Sequence, residues 1–136
     1  MSFMTWNDKL SVGVEAVDED HKKLVAMINE LYDGIIAGEG KEVVGDILDR
    51  LVHYTSFHFA REEALFAQTG YSEAAAHKAE HDEMVEWALQ AALDFHENAL
   101  SAPSLKVMNR LKDWLFDHIN GTDKRFGPHL NAAGIH

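Results

Sequence analysis

The sequence has no cysteine among its 136 residues. That absence removes disulfides, thiolate zinc sites, cysteine-bound iron–sulfur clusters and cysteine nucleophiles together. Backbone breakers are few, with two prolines and nine glycines, so long uninterrupted elements are expected. No apolar run exceeds the five residues from Leu24 to Ile28, which is too short for a membrane span or a signal-peptide core. With no basic stretch at the start either, the expectation is a cytoplasmic protein. Positive charge is also short. Twelve Lys and Arg stand against 23 Asp and Glu, a net charge of −11. A surface that acidic repels phosphate backbones and anionic lipids, so no nucleic acid and no membrane partner is expected. Hydrophobic residues at 46% and charged residues at 26% belong to a folded chain rather than a disordered one. The length fits one domain, residues 1–136, and a monomer is expected.

Strand-like alternation is missing as well. What the chain does have is a helical period in four segments. His21, Val25, Ile28, Leu31 and Ile35 recur at three- and four-residue steps, with Asp18 placed as N-cap and Gly38 to Gly40 as the stop. A second segment runs from Lys41 to Gln68 with the stripe Val44, Ile47, Leu51, Tyr54, His58, Glu62 and Leu65, and Thr69-Gly70 ends it. Ser72 is placed to cap a third, with the stripe His77, His81, Met84, Ala88, Ala91 and Phe95. Pro103 fits the first turn of a fourth, whose stripe is Val107, Leu111, Leu115 and His118. Trp6, Val12, Val14 and Val17 are expected to pack as an irregular arm, and the tail from Pro128 is expected to be irregular. Short loops place each helix antiparallel beside the last. The predicted fold is all-α, an antiparallel up-down-up-down four-helix bundle with an irregular N-terminal arm.

Nine histidines are the compositional oddity. His21, His58, Glu62, His77, His81 and His118 occupy stripes that should be apolar. In the predicted topology all six fall at one end of the bundle. His58 and Glu62, and likewise His77 and His81, are i, i+4 pairs about 6 Å apart along one helix face. Asp123 follows His118 by five residues, about 140° around an ideal helix. A π-bulge near Gly121 would turn it inward too. A single inward histidine is more often a hydrogen-bonded core residue than a ligand. Seven such groups at one level, with no ligand, would bury carboxylates and imidazoles without compensation. The remaining histidines fail on distance or face. His96 is about 22 Å along the helix from His81, and His129 about 16 Å from His118. His53 lies on another face and His136 is terminal, so all four are expected at the surface.

Imidazole with carboxylate suits iron, zinc or copper, and the lack of thiolate disfavours structural zinc. Seven ligands are too many for one transition metal. They suit two metals if Glu62 and Asp123 bridge them and a hydroxide completes the bridge. Five imidazoles then divide three and two, which leaves one position open. The Glu-x-x-His pattern of many di-iron enzymes is absent, because no glutamate stands three residues before any histidine.

The set His21, His58-x-x-x-Glu62, His77-x-x-x-His81 and His118-x-x-x-x-Asp123 resembles the hemerythrin family, in particular its bacterial single-domain members. The likeness extends to Trp6, Gly13-Val14, Asp18-x-x-His21, Gly70-Tyr71 and Gly121-Thr122-Asp123-Lys124. The resemblance implies two iron ions per chain, hydroxo- or oxo-bridged, that bind O2 reversibly for storage or for delivery to an oxygen-consuming enzyme. By the same resemblance His77, His81 and His118 hold one iron. His21 and His58 hold the iron with the open position, and Glu62 and Asp123 bridge. Leu24, Phe59, Trp114, Leu115 and Ile119 would surround the bound oxygen. An oxygen-binding protein rather than an enzyme is implied. An oxygen or redox sensor module, or a di-iron enzyme acting on peroxide or nitric oxide, are the competing readings. Two positions depart from the family's usual pattern. Asp20 stands where glutamine is common, and Phe126 where tyrosine is common.

Overall fold

A computed structural model describes residues 3–97 and 105–136 of the chain. Pro103, expected in the first turn of the fourth helix, lies outside the described residues. Helix α1 is Glu15–Ile36, α2 is Lys41–Thr69, α3 is Ala74–Glu97 and α4 is Leu105–Asp117. The last helix does not stop at Asp117. It passes through a π-helical turn, His118–Asp123, into α5, Lys124–Ala132. The predicted four-helix bundle is therefore present, and the described residues include no strand.

The two short loops are closed by glycines with left-handed backbones. Gly38 has φ 71° and Gly70 has φ 66°, a region that a side chain disfavours. At the second of these, the amide of Tyr71 reaches back to the carbonyl of Phe66 at 3.1 Å, which satisfies an end carbonyl of α2.

The two ends of the bundle differ in chemistry. Away from the histidines the core is apolar: Leu31, Val44, Ile47, Leu48, Phe95 and Met108 are all buried. Each such side chain contributes about 1.5–3 kcal/mol when fully buried. The other end contains the buried polar residues Asp20, His21, His58, Glu62, His77, His81, His118 and Asp123.

Several local expectations need correction. Asp18 is not the N-cap of α1, because Val14 holds that place and makes no side-chain cap. The Asp18 carboxylate instead accepts the Val12 amide at 2.9 Å and the Ser11 hydroxyl. It still satisfies amide and hydroxyl donors near the helix start, but those donors belong to the arm. α3 begins at Ala74, two residues past Ser72, after a turn in which the Ala74 amide donates to Tyr71. The arm is less irregular than expected, since Asp8–Leu10 forms a turn of 3-10 helix and Val17 already belongs to α1. Asn29 fixes its start by exchanging two hydrogen bonds with the Met4 backbone, at 2.8 and 2.7 Å.

The tail from Pro128 is helical rather than irregular. Pro128 sits inside α5, where it forgoes one backbone bond. Burial of Phe126, Gly127 and Leu130 offsets that loss. Gly127 is needed for a close approach. A Cβ there would stand 2.1 Å from the Val12 carbonyl oxygen, so the arm crosses α5 at this glycine.

Candidate metal centre

Four helices bring the seven predicted residues to one place. His21 comes from the first turns of α1, His58 and Glu62 from the middle of α2, and His77 and His81 from the start of α3. His118 and Asp123 open and close the π-helical turn. The π turn resolves the five-residue spacing. An extra residue in the turn lowers the angular step, so both ends face inward. All seven residues are at most 4% exposed.

Their donor atoms divide into two groups that share both carboxylates. One is Glu62, His77, His81, His118 and Asp123; the other is His21, His58, Glu62 and Asp123. The division reaches single oxygens. Glu62 Oε1 faces the Nε2 atoms of His81 (3.1 Å) and His77 (3.5 Å), while its Oε2 faces those of His58 (3.3 Å) and His21 (3.8 Å). Asp123 Oδ1 faces His118 (2.9 Å) and His77 (3.1 Å), while its Oδ2 faces His21 (3.1 Å). Each carboxylate thus turns one oxygen to each group.

These contacts are short, yet none of the seven is a hydrogen bond. Both oxygens of Glu62 and of Asp123, both ring nitrogens of His21 and His77, and Nδ1 of His118 are buried without a hydrogen-bond partner. An unsatisfied buried polar atom costs about 1–3 kcal/mol, so the cluster is expensive as it stands. The spacing explains the arrangement. Two ligands at right angles on a metal with bonds of about 2.1 Å stand about 3.0 Å apart. Five of the seven carboxylate–imidazole separations, at 2.9–3.3 Å, and the 3.2 Å between Nε2 of His81 and of His118 match that edge, while the Glu62 contacts of His77 (3.5 Å) and His21 (3.8 Å) are longer. The donor set fits metal ions at the two foci and does not fit a hydrogen-bonded core.

Electrostatics point the same way. Burial alone would push His58 and His77 down, but the carboxylates beside them outweigh it and raise both to about 9. His21 is raised by Asp123 and Glu62 against the same burial. Glu62 is held well below the carboxylate range by the surrounding imidazoles, and Asp123 is lowered too, although burial pushes both upward. Without a metal, the cluster keeps its carboxylates ionised and draws protons onto its imidazoles.

Two imidazoles have partners on their outer nitrogens. His58 Nδ1 lies 3.0 Å from Asp20 Oδ2, and His81 Nδ1 lies 3.0 Å from Glu63 Oε2. The departure at Asp20 thus falls directly behind a predicted ligand. Glu63 was not foreseen, although its place beside Glu62 in sequence put it near the site. Phe126 is fully buried with its ring 5.5 Å from His77. Of the outlying histidines, His53, His96 and His136 are exposed as expected. His129 is not: it is half-buried, with Nε2 3.1 Å from the Thr69 carbonyl, and it ties α5 to the end of α2.

Of the residues expected around bound oxygen, Leu24, Phe59, Trp114 and Leu115 line an apolar cavity of about 230 Å³ that extends to Leu31 and Leu48, and none of the seven clustered residues is among its lining residues. Ile119 is fully buried but is not among the cavity's lining residues. Phe59 stacks on His81 at 3.8 Å, and Trp114 stacks on His118 at 4.4 Å, so aromatic rings separate the three-histidine group from the cavity.

Fold and cluster together define a helical-bundle protein with a buried histidine–carboxylate site suited to metal. The chain belongs to the hemerythrin family. Residues 12–130 match the family model described as the hemerythrin HHE cation binding domain. The bacteriohemerythrin of Methylococcus capsulatus is 35% identical over 133 residues, covering 97% of this chain and all of that one. That of Stenotrophomonas maltophilia is 32% identical over 132 residues, covering 97% of this chain and 84% of that one. A crystal structure of a wild-type hemerythrin superposes with a TM-score of 0.87 at 34% identity, covering 95% of this chain and 98% of that one. No helix among the described residues is long and apolar enough to cross a membrane.

Proposed function

We propose that the chain binds O2 reversibly at two iron ions held by His21, His58, Glu62, His77, His81, His118 and Asp123, and so stores oxygen or delivers it to oxygen-requiring enzymes. The observation that carries this reading is the split of each carboxylate, one oxygen to each histidine group. Two iron ions held by these residues would supply the electrons that reversible O2 binding requires. The chain's own residues set the conditions. Glu62 and Asp123 hold the two foci at a fixed separation. The two-histidine group offers one imidazole fewer than the other, which leaves room for a small ligand on that side. Leu24, Phe59, Trp114 and Leu115 exclude water from the approach, so a bound ligand meets few protons. The same reading has residues 1–136 act as one cytoplasmic domain and a monomer, kept off nucleic acid and anionic membranes by a net charge of −11.

Anaerobic loading with Fe(II), followed by repeated air and argon cycles under absorbance, tests the proposal. Reversible cycling without net oxygen consumption supports it. Steady oxygen consumption with product formation would make the chain an enzyme instead.

A further inference from the structure

Asp20 is a buried carboxylate beside the cluster but outside it. It is 3% exposed and gathers three donors. Tyr54 donates its hydroxyl to Oδ1 at 2.6 Å, His58 Nδ1 lies 3.0 Å from Oδ2, and Arg61 Nε lies 3.2 Å from the same oxygen. His58 therefore spans from Asp20 on one nitrogen to Glu62 Oε2 on the other. Among the five clustered imidazoles only His58 and His81 are backed by a carboxylate, while the outer nitrogens of His21, His77 and His118 have no partner among the described residues. The two backing groups are unequal. The Glu63 side chain is 27% exposed and solvated, whereas that of Asp20 is 4% exposed. Asp20 also acts on the group with two imidazoles rather than three, where one ligand is a larger share of the donor set.

We propose that Asp20 is a positioning residue that sets the donor strength of His58, and with it the reduction potential of the metal in the two-histidine group. The inference rests on the di-iron reading. A full negative charge behind an imidazole makes it a stronger donor and favours the more highly charged metal. Tyr54 and Arg61 moderate that charge by holding part of it in their own hydrogen bonds. The sign of each substitution follows. Asp20→Asn keeps the shape and an acceptor for His58 but removes the charge, so it raises one of the two potentials. Tyr54→Phe and Arg61→Gln leave the charge in place and release it toward His58, so they lower the same potential. A role confined to packing would move all three variants in one direction or none.

The test is a mediated spectroelectrochemical titration of the iron-loaded parent and the three variants, with iron content measured on each sample. The expected result is a tenfold change in one reduction equilibrium for Asp20→Asn, about 59 mV upward for one electron, with the second step nearly still. Tyr54→Phe and Arg61→Gln should shift the same step downward. If Asp20→Asn does not retain iron, the two other variants decide: lowered potentials support the proposal, and unchanged or raised ones overturn it. Unchanged potentials in an iron-loaded Asp20→Asn overturn it directly. A parent that holds fewer than two irons refutes the di-iron reading itself, a failure visible before any potential is compared.

Discussion

Filling the cluster with metal should expel protons, and the number can be worked from the structure. In the metal-free chain His58 and His77 are both held at about 9. At pH 7 each is about 99% protonated, by the ordinary titration relation. A metal binds only the neutral imidazole, so loading both groups must displace about two protons from these residues. His21, which is also raised, adds to that number. The carboxylates contribute none, since Glu62 and Asp123 are already ionised there. Linkage then fixes the pH dependence. With at least two protons released, the overall binding constant should fall by about 100-fold or more for each unit the pH drops once it is well below 9. Calorimetric titration of the metal-free protein with Co(II), in buffers of different ionisation enthalpy, counts the protons. Release of two or more per filled chain at pH 7 is the expected result. Release of less than one would refute the reasoning, because it would mean that the imidazoles stand neutral in the empty cluster.

The same shifts govern folding without metal. A raised imidazole stabilises the fold below its unfolded value of 6.5, and that stability is lost as pH rises through 9. The metal-free melting temperature should therefore fall between pH 6.5 and 9, with His58 accounting for at most about 3 kcal/mol, while the loaded protein stays flat. Gly127→Ala should destabilise the fold by about 1–3 kcal/mol in a denaturant titration, since the new Cβ meets the Val12 carbonyl at 2.1 Å; an unchanged midpoint would mean that the arm does not cross there. Leu115→Ala enlarges the cavity beside the cluster and should cost about 2–5 kcal/mol. If the cavity leads to bound oxygen, admitted water should also speed autoxidation of the folded protein, whereas a stability loss at constant autoxidation rate would place the oxygen elsewhere.

The five clustered histidines and Glu62 were legible in the sequence because periodicity and topology agree. The helical repeat put them on apolar stripes, and short loops put those stripes at one end of an antiparallel bundle. The π turn was legible from a conflict, since His118 and Asp123 cannot both face inward on a regular helix. The outer partners were harder to see. Tyr54 belongs to the predicted stripe of α2 while Arg61 and Glu63 flank it, and what each meets depends on the rotation of the helix against its neighbours, which a stripe does not specify. The division of the carboxylate oxygens is a matter of side-chain rotamers. Pro128 misled because its residue type argues against a helix interior, whereas burial of Phe126 and Leu130 decides the outcome. His129 misled because distance from the cluster says nothing about whether Thr69 waits nearby as a partner.

The central claim is that two metal ions share Glu62 and Asp123. It is tested most directly by iron analysis of the anaerobically reconstituted chain beside its Glu62→Ala variant. Two irons per parent chain and one or none in the variant is the predicted result. One iron in the parent, or two irons retained without Glu62, would contradict it.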